Sequence, residues 1–351
     1  MIVIKKSVTI YDIAKKVETS TATVSRVLSN SNYPVSQELR KKIIKVAKAL
    51  NYVPNMSGRQ LKTNKSMAIG VIVPSISNPF YSSVVLGIEE TARKNGYNVL
   101  LCNSHQSPEL EIEHIQTLFQ KQVQGLIISS ISDKFDLLND YISRGLNVVA
   151  IDEKLDNLKI GCQILFDYRK GGYIATKHLL EKGHRKIGYV TAPMDRPSRI
   201  GIFQGFKDAL LENNIMINEA WIQVSNNVEG SLNKNVYEFK NGKNLIRNII
   251  NLPDRPTAIL ACNDMTAIGV LNELEAQGIK VPDQMSVIGF DNIELGEMIS
   301  PALSTIDHPK QEMGVFSCNM LLERLNEDNF KINEIVLQPQ LIERNSVAQI
   351  Y

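Results

Sequence analysis

From Met67 onward, short apolar runs recur along the chain, each followed by a stretch with helical spacing. In order they are MAIGVIVP, YNVLLCNS, VQGLIISS and LNVVAID, then KIGYVTAP, WIQV, TAILACND and SVIGFD. Strands that alternate with helices pair in parallel, and each crossover lays a helix on a face of the sheet. Eight such strands exceed one small sheet, so residues 67–351 are expected to form an α/β body of two Rossmann-like lobes with parallel sheets. Ligands of such sheets sit beyond the carboxyl ends of the strands. That rule selects Ser75 to Tyr81, Asp152, Arg196, Asn263, Asp264 and Asp291. Phe80 and Tyr81 offer aromatic faces to a ring. Asn263, Asp264 and Asp291 offer acceptors to hydroxyls, and Arg196 and Arg199 offer forks to an oxygen or an anion. An apolar cleft with a few convergent polar groups describes a small-molecule site. Asp264 also suits the N-cap of the helix that follows, and that is the role the sequence assigns it.

The first 65 residues are different in kind. They hold 13 Lys and Arg against Asp12, Glu18 and Glu38, a net +10, whereas the rest holds 26 basic and 34 acidic residues, a net −8. A small basic head on an acidic body is the electrostatic footprint of nucleic-acid binding. Thr9 and Asp12 make a capping box ahead of Ile10, Ile13, Ala14 and Val17, which places a first helix over about 10–17. Ser20 caps a second over about 20–28. Ser36 caps a third, with Leu39, Ile43, Val46, Ala47 and Leu50 as its stripe. Two short helices joined by a three-residue turn and backed by a third make an all-α helix-turn-helix head, residues 1–53.

In the second helix, Val24, Val27 and Leu28 take one side. Thr21, Ala22, Thr23, Ser25 and Arg26 take the other, small groups with a single cation. Small residues let a helix backbone approach base edges in a groove about 12 Å wide. Thr21 and Ala22 are placed for a thymine methyl or a hydrogen bond, and Arg26 for bidentate reading of guanine. Ser20, Thr23 and Ser25 suit phosphate oxygens. Thr9, Tyr11, Ser29 and Ser36 complete the candidate DNA-contacting set. By composition, residues 54–66 (PNMSGRQLKTNKS) are a linker.

The segments VTIYDIAKKV, TATVSRVLSN, YPVS, LNYVPN and GRQLK, followed by SMAIGVIVP and SNPFY, resemble the LacI/GalR family of bacterial transcription regulators, and the resemblance runs over essentially the whole chain. It implies base reading by Thr21, Ala22 and Arg26. It also implies a hinge helix at 54–66, with Leu61 as a minor-groove wedge and Asn55, Arg59 and Lys62 on phosphates. Gly58 stands where the family commonly has Ala, which makes hinge folding more dependent on DNA. Glu18 stands where the family usually has Gly in the turn. For the body the resemblance implies a periplasmic-binding-protein-like fold with Phe80, Phe166, Arg196, Asn263 and Asp291 against an effector. That effector would be a sugar or sugar derivative, or next a nucleobase, with Arg196 and Arg199 leaving room for an acid or phosphate. The family generally has an effector-binding Arg three residues before the Gly of its GF pair; here that position is Ile202, and Arg199 lies one turn earlier. The implied lobes are 67–163 with 294–326, and 164–293 with 327–351, the tail EIVLQPQLIERNSV closing the second. The helix SSVVLGIEETARKNG would join two first lobes across a dimer axis. No heptad repeat follows, so a homodimer on a pseudo-palindromic double-stranded operator is expected.

Other function classes find little support. His105, His114, His178, His184 and His308 are scattered without metal-ligand spacing, and GxSxG, GxxxxGK[ST] and GxGxxG after the first strand are absent. Neither catalysis, a cofactor nor a metal is expected. Cys102, Cys162, Cys262 and Cys318 lie far apart and read as buried thiols of a reducing compartment. No run of about 18 apolar residues exists, and MIVIKKSVTIYDIA has no signal-peptide pattern, so a cytoplasmic protein without membrane contact is expected. A receptor of periplasmic-binding-protein type without operator function is the principal alternative, opposed by the basic head. A fused sensor–enzyme is opposed by the missing phosphate loop.

Overall fold

The computed structural model describes residues 8–29, 33–53, 66–155, 157–158, 162–225, 237–326 and 334–351. The chain divides into two compact units, residues 1–66 and 67–351. The first holds α1 (Ile10–Val17), α2 (Thr21–Leu28) and α3 (Gln37–Ala49). Their starts follow the expected caps. The Thr9 amide donates to Asp12 Oδ2 at 2.7 Å, the Thr23 amide to Ser20 Oγ at 3.0 Å and the Leu39 amide to Ser36 Oγ at 3.3 Å. Ile13, Val17, Val24, Val27 and Ile43 are buried between the three helices. The turn leaves α1 through Glu18, whose φ of 61° and ψ of 47° are left-handed. The Thr19 amide closes the helix end on the Ala14 carbonyl at 3.0 Å.

The body begins with β1 (Ala68–Val73), α4 (Pro79–Lys94), β2 (Asn98–Asn103) and α5 (Pro108–Gln120). It continues through β3 (Gly125–Ile128), α6 (Asp136–Ser143), β4 (Asn147–Asp152) and β5 (Gln163–Phe166). Next come α7 (Tyr168–Glu181), β6 (Ile187–Thr191), α8 (Pro197–Glu212), β7 (Ile222–Val224) and α9 (Tyr237–Ile250). After them follow β8 (Ala258–Ala261), α10 (Asp264–Ala276), β9 (Ser286–Asp291), the one-turn α11 (Leu295–Met298) and β10 (Ser304–Asp307). The last elements are α12 (Lys310–Asn326), β11 (Glu334–Leu337) and β12 (Gln340–Ile342).

Two six-stranded sheets result, ordered β11-β5-β4-β3-β1-β2 and β12-β10-β9-β8-β6-β7. Every pair is parallel except β10 with β12. The central strands are apolar on both faces, as strands covered twice must be: Ile69, Val71, Ile72 and Val73 of β1 are fully buried.

Sheet membership differs from the sequence expectation at all three crossings. The chain passes between sheets after Phe166, after Asp307 and after Leu337, later than the boundaries at 163, 293 and 326. QILF belongs to the first sheet because it pairs with β4, Ala150 opposite Gln163 and Asp152 opposite Leu165. STID belongs to the second, and its polar residues hide it from a reading of apolar runs. Ser304 and Thr305 are buried because the Thr305 hydroxyl donates to Asp264 and the Ser304 amide to Ser346 Oγ. The tail does not close one lobe: EIVL runs parallel to β5 and QLI antiparallel to β10.

Helices α7 and α8 cross with their backbones touching. A Cβ on Gly205 would lie 1.9 Å from the Arg169 carbonyl, and one on Gly172 would lie 2.1 Å from the Ile202 carbonyl. The crossing fixes the start of α8, where Arg196 is the N-cap and Arg199 lies in the first turn.

Two substitutions test these constraints. Glu18→Gly should stabilise the head by about 1 kcal/mol, the left-handed penalty less the extra chain entropy of glycine, seen as a higher thermal midpoint for the head. Gly205→Ala should destabilise the body by about 1–3 kcal/mol through overpacking, lowering its midpoint in a thermal melt with head unfolding unchanged.

Candidate functional site

In the head, Ala22 and Arg26 are exposed on α2, with Thr21, Thr23 and Ser25 half-buried beside them. The Arg26 guanidinium lies 4.1 Å from the centroid of the Tyr33 ring. That aromatic, which sequence reasoning did not single out, holds the cation by a cation–π contact. The Ser20 and Thr23 hydroxyls are 2.9 Å apart, and Ser29 Oγ donates to the Arg26 carbonyl at 3.2 Å. Thr9 and Ser36 are exposed caps, and Tyr11 is 72% exposed. Asn55 and Leu61 lie outside the described residues.

In the body, the carboxyl ends of both sheets face one another across a narrow cleft of about 60 Å³. Of the expected residues, Phe80, Tyr81, Arg196, Arg199, Asn263 and Asp291 line it. Phe166 does not. Its buried ring stands behind the lining, stacked on His308 at 3.9 Å and edge-on to Tyr168 and Phe290. Asp264 is not the cap of α10. Asn263 takes that role, its Oδ1 accepting the Thr266 amide at 2.8 Å. Asp264 instead turns inward, fully buried, accepting the Ile293 amide at 2.8 Å and the Thr305 hydroxyl at 2.6 Å. Tyr168, Glu238 and Asn78 also line the cleft. Asn78 falls inside a stretch selected as a strand end, but no sequence pattern marks Tyr168 or Glu238, which come from helix starts.

The two lobes bond to each other through this lining. Asp152, at the end of β4, accepts Tyr81 Oη at 3.0 Å, Ser129 Oγ at 3.4 Å and the Tyr168 hydroxyl. Arg196 of the second lobe puts Nε 2.7 Å from Glu153 Oε1 and Nη2 3.9 Å from Asp152 Oδ2. Ser198 Oγ donates to Glu153 at 2.8 Å. Across the mouth, Asn78 Nδ2 donates to both oxygens of Glu238, at 3.1 and 3.3 Å. Arg199 lines the cleft but is engaged on its own side, Nη1 reaching the Pro193 carbonyl at 2.8 Å and Asp195 Oδ1 at 2.9 Å. Ile202, three residues before Gly205, is buried and apolar.

Burial pushes the Asp152 and Glu153 carboxyls up, and Arg196 pulls both partly back. Asp291 is held well above the carboxylate range by burial and then by Asp264, Glu238 and Asp152, with Lys310 opposing. Its carboxylate has no hydrogen-bond partner among the described residues; His308 Nδ1 is 3.8 Å away. His308 is fully buried, and burial, with Lys310 nearby, keeps it well below the usual histidine range. Asp152 and Asp291 have φ of 78° and 108°, conformations that cost about 1–3 kcal/mol each and cluster at functional sites.

Comparisons with known proteins fit this geometry. Residues 9–55 match the family profile of bacterial regulatory proteins of the lacI family, and residues 176–347 match that of a periplasmic binding protein-like domain. A ribose operon repressor of Haemophilus influenzae is 34% identical over 342 residues, covering 97% of this chain and 99% of its own. An HTH-type transcriptional repressor PurR of Mannheimia succiniciproducens is 33% identical over 345 residues, with the same coverage of each. Among solved structures, the lac repressor dimer bound to operator and the anti-inducer ONPF superposes with a TM-score of 0.85 at 26% identity, over 98% of this chain and 100% of that one. A LacI family regulator of Enterococcus faecium with bound ribose gives 0.72 at 29% identity, over 81% and 100%. Among the described residues no helix is long and apolar enough to cross a membrane.

Asp264 supplies a pH test. Burial raises its carboxyl to about 7 in the fold, with Thr305 and Ile293 opposing, against an ordinary 3.8. Between those values the folded state holds a proton that the unfolded chain has lost, so its contribution is full below about pH 4 and is lost as pH rises through about 7. Asp264→Asn, a neutral isostere, should flatten the fall of the body's thermal midpoint between pH 4 and pH 7. An unchanged slope would place the titration elsewhere.

Proposed function

Because the chain belongs to the lacI family of bacterial regulatory proteins, and is a DNA-binding transcription regulator, we propose that it is a cytoplasmic repressor. It acts as a homodimer on a pseudo-palindromic operator and is switched by a small-molecule effector held between the lobes of the body. In this reading the head comprises residues 1–53. Residues 54–66 form the hinge, with Leu61 as the minor-groove wedge and Asn55 on a phosphate. Thr21, Ala22 and Arg26 read bases from α2, while Ser20, Thr23 and Ser25 hold phosphates. Thr9, Tyr11, Ser29 and Ser36 flank them on the same DNA-facing set. The effector, a sugar or sugar derivative, contacts Phe80, Tyr81, Arg196, Arg199, Asn263 and Asp291, with Phe166 shaping the cleft from behind. Regulation rather than catalysis is its work.

The observation that carries the switch is that the cleft residues of the two lobes bond to one another across the cleft. Tyr81 and Asp152 meet Arg196, and Asn78 meets Glu238. A ligand between them must replace some of those bonds with its own. It therefore has unequal affinity for two lobe angles, which is the thermodynamic requirement for shifting DNA affinity. A ligand that left both sets of bonds intact could bind tightly and regulate nothing.

The reading is tested by selecting operators from a random-sequence DNA pool, with and without a metabolite mixture. A recovered pseudo-palindrome whose yield changes with metabolites supports it. No enrichment from a folded dimer removes the operator function. On the selected site, Arg26→Ala should lose about 1–3 kcal/mol of discrimination at one base pair per half-site, with affinity for random DNA nearly unchanged. Equal weakening on both DNAs would make Arg26 a phosphate contact.

A further inference from the structure

A base-reading arginine discriminates best when its guanidinium is already aimed before the DNA arrives. We propose that Tyr33 is a positioning residue for Arg26. Its ring holds the guanidinium by the face and so sets how sharply the protein discriminates at the base pair Arg26 contacts. This step rests on the base-reading role given to Arg26 above.

Arg26 is exposed on α2, and a long side chain loses much rotamer freedom when it is fixed. If it is fixed only on the DNA, the whole of that loss opposes binding. In the head itself the guanidinium carbon already lies over the Tyr33 ring, 4.1 Å from its centroid. A carboxylate would hold the guanidinium through the same N–H groups that guanine O6 and N7 must accept. A ring holds it through the face of the guanidinium plane and leaves the in-plane donors directed outward. The contact therefore orders the cation without consuming the hydrogen bonds that carry sequence information.

The ring is itself fixed to the head's core. Pro34 biases the Tyr33 backbone towards extended conformations, and Arg40 Nη2 reaches the Tyr33 carbonyl at 3.5 Å. Arg40 belongs to α3, whose Ile43 and Ala47 are buried between the three helices. On the other side, Val24 and Val27 seat α2 in the same core, and Ser29 Oγ donates to the Arg26 carbonyl at 3.2 Å. Ring and cation are thus carried by two helices packed on one core. Tyr33 remains 43% exposed, so replacing its ring alters the contact with Arg26 more than the packing of the head.

The test is equilibrium binding of the full-length protein to the selected operator, to its single-base variants at the pair read by Arg26, and to random DNA. Tyr33→Leu keeps apolar bulk and removes the π face. With an unchanged head melt, it should narrow discrimination at that pair about 2- to 5-fold, the strength of an exposed cation–π contact. Discrimination at other pairs and affinity for random DNA should hold. Tyr33→Phe, which keeps the face, should discriminate as the native protein does. In an Arg26→Ala background Tyr33→Leu should change nothing further, because the contact is already gone. Losses in Tyr33→Phe equal to those in Tyr33→Leu would make the hydroxyl a phosphate contact and overturn the proposal. Additive losses in the double variant would overturn it as well. Discrimination lost in Arg26→Ala but kept in Tyr33→Leu overturns the role of Tyr33 alone. Arg26→Ala without effect at any single pair overturns the base-reading assignment, and this proposal with it.

Discussion

Asp152 is a carboxylate buried at the end of a central strand, and the geometry of the cleft follows from keeping it satisfied. An isolated buried charge is untenable, so it must be hydrogen-bonded and paired. It has four partners: Ser129 just after β3, Tyr81 from the first turn of α4, Tyr168 from the start of α7, and Arg196 from the entry to α8. Two of the four belong to the second lobe. At the cleft the lobes are therefore joined by polar bonds, beside apolar packing in which Phe166 meets Phe290 edge-on. Polar bonds can be exchanged for those of a ligand, whereas a packed apolar seam would resist opening.

Placing those partners requires rigid helices, and the body obtains rigidity by bringing helix backbones into contact. Gly172 and Gly205 do this for α7 against α8, and Gly87 and Gly314 do it for α4 against α12, where a Cβ would meet a carbonyl at 2.3 and 2.1 Å. The first pair sets the helix that carries Arg196 and Arg199. The second sets the helix that carries Phe80 and Tyr81. Each cleft wall is thus held by a crossing in which no side chain could be inserted without displacing backbone.

What the sequence shows and what it conceals follow from how local each feature is. Caps, apolar stripes and long apolar strands are local, so the three head helices, β1 to β4 and β6 to β9 could all be read directly. Crossings between sheets are set by pairing across distance. QILF is only four residues long, and three of the four residues of STID are polar, so neither carries the apolar run that marks a strand. STID is buried because Asp264 and Ser346 satisfy its polar atoms, and both lie about 40 residues away in sequence. The exchange of Asn263 for Asp264 as the cap has the same cause, since Thr305 and Ile293 draw Asp264 inward. Ser75 to Tyr81, Asp152, Arg196, Asn263 and Asp291 were legible because the carboxyl ends of parallel strands are a topological rule. Tyr168, Glu238 and Tyr33 follow no such rule.

The two sheets repeat one another in strand order, and β4 and β9 hold matching places in them. Both end in an aspartate with positive φ, Asp152 and Asp291. Glycine would adopt that conformation without strain, so folding alone gives no reason for aspartate at either place. Their surroundings differ in one respect. Asp152 is surrounded by donors, while Asp291 faces His308 at a distance too long for a hydrogen bond, and the imidazole itself has no partner on either nitrogen among the described residues. Strain and unsatisfied polarity coincide at that one corner of the cleft. Leaving a buried polar group without a partner costs about 1–3 kcal/mol, a cost that the rest of the fold must offset at this corner.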